Sequence, residues 1–139
     1  MPFAVRDLAS GLLAGTSSFL SVWPQQSSLE IGSTWFRPEY RGGRINIEAK
    51  LLMLGEAFGA GVRRIEFRVD ARNARSQAAV LKLGAAREGM LRQHLLTWTG
   101  HIRDTAVFSI VAEEWPRVRA GLMERLAGFE AGGGGAVTK

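Results

Sequence analysis

The sequence contains no cysteine, which excludes disulfides, thiolate metal sites and a cysteine nucleophile. Histidine occurs only at His94 and His101, too few for a histidine-rich metal centre, and no metal is expected. No apolar run approaches the roughly 18 residues a membrane span needs, and the N-terminus lacks a secretory leader pattern. The expected setting is therefore cytoplasmic, without membrane contact. No helix-turn-helix, RNA-binding aromatic pair or zinc spacing is present to read bases. The net charge of +5, carried mainly by arginine, reads first as a solvated basic surface with an anion site in it. Attraction to nucleic acid or the ribosome is the minority reading, and direct binding is not expected.

What is present is an ordinary globular composition, 46% hydrophobic and 22% charged over 139 residues. A chain of that length forms one domain and buries roughly two-thirds of its unfolded surface. The domain is placed at 1–130. The stretch Ala131 to Lys139, with four consecutive glycines, reads as a disordered tail. Strands are expected over Phe3 to Arg6, Gly11 to Val22 and Leu29 to Phe36, with a loop at Trp23 to Ser28. Arg64 to Asp70 alternates with period 2 and is the clearest strand. Helices are expected from about Asn46 to Ala60, from an Asn73 cap to Gly84, and from Glu114 to Leu126. Leu91 to Trp98 and Asp104 to Val111 pair as a hairpin around Thr99-Gly100-His101. The class is mixed α/β.

The stretch Arg41-Gly42-Gly43-Arg44-Ile45-Asn46-Ile47-Glu48-Ala49-Lys50 carries the functional signal. It joins a strand to an amphipathic helix with apolar residues at Ile47, Leu51, Leu54 and Phe58. Strand, glycine turn and helix N-terminus in that order make an anion site. The glycines let the backbone approach a ligand, and the helix dipole adds about half a positive charge. Arg41 and Arg44 add full charges beside it, and a pyrophosphate suits the place. The helix then leads to Arg64 to Asp70, which makes a parallel strand pair with the turn at its C-terminal edge, where open α/β sheets hold ligands.

Taken with Glu30-Ile31-Gly32-Ser33-Thr34-Trp35, Asp70 to Ser76, Leu83-Gly84-Ala85, Arg87 to Arg92, Arg103-Asp104 and Glu114-Trp115-Pro116, this stretch resembles the GCN5-related N-acetyltransferases (GNAT), in their RimJ/RimL-type branch. The match runs from Phe3 to Leu126. The resemblance implies a twisted, mixed, mostly antiparallel sheet with one splayed parallel pair, flanked by helices. It implies an acetyl-CoA-dependent enzyme that transfers acetyl directly to a primary amine, on a protein N-terminus or a small molecule. It places backbone groups of Trp35, Phe36 and Arg37 on the acetyl-pantetheine arm. The turn Arg41, Gly42, Gly43, Arg44, Ile45 and Asn46 falls around the pyrophosphate of coenzyme A, and Asn73 beside the pantetheine. Ser76 stands where this branch places an acid for the leaving thiolate.

The chain departs from the pattern at three places. Arg44 stands where relatives carry Gly or Ala, which bears on the pyrophosphate contact. Val80 stands where many carry a tyrosine acid, so Ser76 or water must serve. The resemblance also begins part-way through the domain, with no counterpart before Met1 of a strand and two helices that wall the acceptor site. The sheet face this bares is expected to be covered by the last helix or by a second copy, giving a two-fold homodimer. Ser76 reads equally as a residue of the helix start. Glu30 and His94 are the alternatives for a general base. Against each stands the plainer reading of an ion-paired or surface residue. With no convincing base, a non-catalytic acyl-CoA-binding or interaction module is the competing reading.

Overall fold

The computed structural model describes residues 1–132. Six strands form one sheet: β1 (Pro2–Arg6), β2 (Leu13–Trp23), β3 (Ser28–Phe36), β4 (Arg64–Asp70), β5 (Ala86–Leu96) and β6 (Ile102–Val111). Their order is β1-β2-β3-β4-β6-β5. Only β3 and β4 run parallel, joined by α1 (Arg44–Gly59), and every other neighbouring pair is antiparallel. Helix α2 (Ala74–Leu83) joins β4 to β5, and α3 (Trp115–Gly132) follows β6. The mixed sheet with a single parallel pair is the expected architecture.

Strand periodicity sorts the side chains to two faces. Leu29 and Ile31 of β3, Ile65 and Phe67 of β4, and Ala106, Phe108 and Ile110 of β6 are buried in one cluster. Ile47, Met53, Leu54 and Ala57 of α1, Leu83 of α2, and Val118 and Leu122 of α3 join them. One sheet face therefore carries the helices. The residues between these positions, Glu30, Glu66, Arg68, Thr105 and Ser109, point to the other face.

Local chemistry sets the helix ends. The Asn73 side-chain oxygen accepts from the Ser76 backbone N–H at 3.1 Å, one of the orphan donors of a first turn. Gly84 closes α2 in the left-handed region with φ 110°, where a Cβ would be strained and would meet Val118. Both signals were legible in the sequence.

Several boundaries differ from expectation: β2 begins at Leu13, α1 at Arg44 and β6 at Ile102, and the largest differences lie in β5 and α3. β5 begins at Ala86 rather than Leu91. Its register slips between Arg87 and Gly89 and again between Leu91 and Leu95, and Gln93 has φ 49°, so the alternation that marks a strand is broken. α3 starts at Trp115, after a single 3-10 turn at Ala112–Glu114, and continues to Gly132 instead of ending at Leu126. Phe129 extends the stripe of Val118, Leu122 and Leu126 and packs on the same core. Ala131 and Gly132 thus belong to a helix rather than to a disordered tail, and the rest of that expected tail lies outside the described residues.

α3 covers part of the helix-bearing face. Between β1 and α1 an apolar groove of about 360 Å³ remains, lined by Phe3, Phe19, Ala49, Leu52 and Met53. Among the described residues no helix is long and apolar enough to cross a membrane.

Candidate functional site

The site begins with a disagreement between two strands. β3 pairs with β4 only at Ser28, Leu29 and Glu30, opposite Arg64, Ile65 and Glu66. β4 then continues along β6 to Asp70, while β3 follows β2 to Phe36. The parallel pair is hydrogen-bonded at one end and open at the other. The cause lies in β3. Ser33 has φ 48°, in the left-handed region, and the β2–β3 register shifts opposite it, between Thr16 and Ser18. An irregularity of this kind bends and twists its strand. The bent segment is held by a 2.7 Å hydrogen bond between the Ser17 and Thr34 hydroxyls.

Beyond the opening lies a cleft of about 570 Å³ between the end of β3, α1, α2 and α3. Trp35 and Phe36 contribute from β3, Arg41, Gly42 and Asn46 from the turn and the first turn of α1, and Asn73 and Ser76 from the start of α2. Each of these was a candidate from sequence. Arg41 is fixed by donating from Nε to the Phe36 carbonyl at 2.9 Å. Gly42 has φ 70°, and nothing lies within 4 Å of where its Cβ would be. Gly43 occupies the N-cap of α1, and no side chain caps that helix, which leaves its first-turn N–H groups available.

Other candidates lie elsewhere. Arg44 turns along its own helix to Glu48 at 3.3 Å, and Arg37 pairs with Glu39 at 3.1 Å. Ile45 packs against the small cluster of Ala14, Phe36 and Ala49. Neither these side chains nor Gly43 line the cleft, so from Gly43, Arg44 and Ile45 only backbone groups remain to offer a ligand.

Sequence reasoning missed the cleft roles of Lys50 on α1, Arg75 and Lys82 on α2, and Arg125 on α3, all of which line it beside Val80. Lys50, Arg75, Lys82, Arg125 and Arg41 are cations, and among the described residues no carboxylate lines the cleft. Among the described residues two buried polar atoms there lack a partner, Asn46 Oδ1 and Lys50 Nζ. The Lys50 side chain is half-buried as a whole, but its ammonium is fully enclosed, and that burial pulls its pKa down to about 8. Native structures rarely leave such groups unpaired. An uncapped helix N-terminus, charged lining groups that are all cations and two orphaned polar atoms fit a phosphate-bearing ligand that also offers hydrogen-bonding groups.

Glu30 and His94 lie away from the cleft, neither among its lining residues. His94 Nδ1 is hydrogen-bonded to Thr105 Oγ1 at 2.9 Å, and Arg103 Nε donates to the same oxygen at 3.0 Å. Arg103 also acts electrostatically on Glu30. Burial raises the Glu30 pKa and Glu66 adds to the rise, while Arg68 and Arg103 oppose it. Glu66 itself is held by Arg64 at 3.2 Å and Arg68 at 2.7 Å. The two candidate bases thus belong to one polar network across β3, β4, β6 and β5, separated from the cleft by the sheet. Among the described residues no group of three or more acidic or histidine side chains could hold a metal ion.

Residues 1–86 match the acetyltransferase (GNAT) domain family. No curated protein matches the chain. Among solved structures, a GCN5-related N-acetyltransferase from Brucella melitensis shares 34% identity at a TM-score of 0.87, over 91% of this chain and 57% of that one. A protein from T. thermophilus shares 43% identity at a TM-score of 0.78, over 82% of this chain and 61% of that one. The spermidine N-acetyltransferase SpeG of Vibrio cholerae has the same fold, with a TM-score of 0.73 at 20% identity over 82% of this chain and 66% of that one. The chain therefore spans roughly three-fifths of the length of the first two relatives.

Proposed function

The chain belongs to the GNAT acetyltransferase domain family, and from that premise we propose that it binds acetyl-CoA in the basic cleft and transfers the acetyl group directly to a primary amine. The observation that carries this reading is the uncapped N-terminus of α1 opening into a cleft whose charged side chains, among the described residues, are all cations. Bound acetyl-CoA supplies an activated thioester. First-turn N–H groups of α1, with Arg41, take the pyrophosphate. Trp35 and Phe36, on the part of β3 that β4 leaves unpaired, flank the pantetheine arm, with the Phe36 carbonyl already taken by Arg41. Asn73 has its Oδ1 committed to the helix cap, and its amide nitrogen is the part free to donate. Ser76 offers a hydroxyl to the departing sulfur.

The gap between β3 and β4 joins the two faces, so an amine held near Glu30 and His94 reaches the thioester through the sheet. Glu30, or His94 through its Thr105 contact, accepts the amine proton. The acceptor is a protein N-terminus or a small amine, as in the RimJ/RimL-type branch. SpeG, by its name, acts on spermidine, and that polyamine class belongs among the acceptors to assay.

Isothermal titration tests the cofactor site. Coenzyme A is expected to bind at micromolar to submillimolar concentration, with affinity that falls as salt rises. Gly42→Val should weaken binding about tenfold or more. Its φ disfavours a branched side chain by about 1–2 kcal/mol, and the added methyls would enter the cleft. No binding by folded wild-type protein at millimolar ligand would sink the reading. Binding without release of free thiol in the presence of mixed amines would leave a non-catalytic acyl-CoA module.

The proposal extends to a two-fold homodimer. β5 is an edge strand, and its hairpin with β6 presents Leu96 at 73%, Trp98 at 97% and Ile102 at 55% exposure. An unpaired strand edge carrying apolar side chains is complementary to a copy of itself. Light scattering at micromolar concentration should give twice the chain mass, and Trp98→Glu should return it to one. A wild-type monomer at that concentration rules the dimer out.

A further inference from the structure

We infer that Lys50 is the proton source for the leaving thiolate, which makes it a catalytic residue of the acetyl transfer. The inference rests on the acetyltransferase reading above. Aminolysis of a thioester forms a C–N bond and breaks the C–S bond, expelling a thiolate that must be stabilised or protonated. The Ser76 hydroxyl can hydrogen-bond to sulfur, but a serine hydroxyl is too weak an acid to surrender its proton to a thiolate. Val80, on the same cleft wall, has no proton to give. Lys50 lines this cleft, and its Nζ is enclosed and, among the described residues, without a partner.

The surroundings separate Lys50 from the other cations. Arg41, Arg75 and Lys82 are exposed, and Arg125 is half-exposed. Such groups suit phosphates that keep part of their hydration. Lys50 sits one helical turn past Asn46, and Ile47, Val80, Leu83 and Leu122 line the same cleft. Drawing a doubly charged phosphate fully among these apolar groups would strip its water for one compensating charge. The uncharged acyl end of the ligand has no such cost, and a charge appears there only as the thiolate departs. A preformed ammonium at that point stabilises the transition state more than the ground state.

The proton balance closes. The amine proton leaves through the base on the opposite face, the Lys50 ammonium protonates the sulfur, and neutral Lys50 regains a proton from solvent. The charged groups that line the cleft with Lys50 are Arg41 on the turn, Arg75 and Lys82 on α2, and Arg125 on α3, all cations. Glu48 on its own helix is held by Arg44. Burial keeps the lysine a stronger acid than an exposed one, and its pKa of about 8 lies near that of an ordinary thiol, roughly 8.5. That match favours transfer in the required direction.

Three readouts test the assignment. In the protein without ligand, acylation by acetic anhydride as a function of pH, followed by mass spectrometry, should show Lys50 reacting at lower pH than exposed Lys82, and coenzyme A should block it. In the coenzyme A complex, the thiol should ionise at lower pH in wild type than in Lys50→Met, read from thiolate absorbance. In turnover, Lys50→Met should slow kcat about tenfold and lose the alkaline limb of the pH profile, with the Kd for coenzyme A changed less than threefold. The Met variant removes an unpaired buried charge at equal length, so it should melt no lower than wild type. Lys50→Arg, which keeps the charge but cannot give up a proton, should leave the thiol shift intact and still slow kcat. Loss of coenzyme A binding in Lys50→Met, with the thiol ionisation of any residual complex unchanged, would make Lys50 a phosphate anchor and overturn the assignment. Unchanged kcat with intact binding overturns it as well. If the wild-type chain fails to bind coenzyme A at all, it is the acetyltransferase reading that fails, and this assignment with it.

Discussion

Phe108→Ala should destabilise the domain by about 3–5 kcal/mol, the largest loss expected from any single truncation in this chain. Phe108 has 0% exposure and sits at the middle of β6, paired with Phe67 of β4. It belongs to the cluster that α1, α2 and α3 share with the sheet, so all three helices meet the same core. The guanidinium of Arg87 lies 5.7 Å from its ring centroid, adding a weak attraction at the β5 side. Removing the ring takes away its transfer free energy and leaves a cavity that strands on both sides prevent from collapsing. For a domain whose total stability is about 5–15 kcal/mol, that is a large share. The urea midpoint is expected to fall by roughly 2 M, using a slope near 2 kcal/mol/M. The cleft should weaken in step, because β4 and α2 are positioned from this core. A loss below about 1 kcal/mol would mean that the helices do not share one core around β6.

How much of this was legible in the sequence depended on whether the signal was local. The alternation of Arg64 to Asp70, the Asn73 cap and the Gly84 stop are local, and all three elements came out at their observed ends. The glycine turn was legible only in company: Gly42-Gly43 before a helix is by itself an ordinary turn, and the downstream sequence is what singled it out as an approachable helix start. β5 was read short because two register slips and Gln93 break its alternation, and slips of that kind are set by the partner strand. α3 was cut at Leu126 because the glycine-rich sequence beyond it outweighed Phe129, whose value comes from packing on a core formed by distant strands.

The cleft shows the same division. Arg75, Lys82 and Arg125 are ordinary surface cations in sequence, and only the packing of α2 and α3 beside α1 turns them toward one space. Lys50 was different, because a signal existed. It stands three residues after Ile47 and four before Leu54, on the apolar stripe of α1, where an ammonium has no place unless it has a task. Arg44 pairs in the structure with Glu48 one turn along, a partner that the i, i+4 spacing already offered. The opening of β3 from β4 has its origin in Ser33, whose positive φ no serine announces.

Glu30→Gln should lower turnover by about 10²-fold or more while leaving the affinity for coenzyme A unchanged, because Glu30 faces away from the cleft. The acid limb of the kcat/KM profile is expected above the ordinary carboxylate range, since burial first and Glu66 second raise the Glu30 pKa. In the Gln variant that limb should disappear. Stability moves the other way. A group whose folded pKa is raised favours the folded state most below its unfolded pKa, and loses that contribution as pH rises through the folded value. Ionised Glu30 is therefore a burden on the fold at neutral pH, and the uncharged amide removes it. Glu30→Gln should accordingly melt no lower than wild type at pH 7 and show a flatter stability profile across the weakly acidic range. The gain should be small, because Glu30 is only half-buried and solvent screens it. A variant both less active and at least as stable is what distinguishes a base from a structural ion-pair partner, whose loss would lower stability and spare the rate. His94→Gln supplies the control from the same network. If it removes the pH-dependent limb while Glu30→Gln keeps full turnover, the base is the imidazole, and Glu30 serves only to balance Arg68 and Arg103.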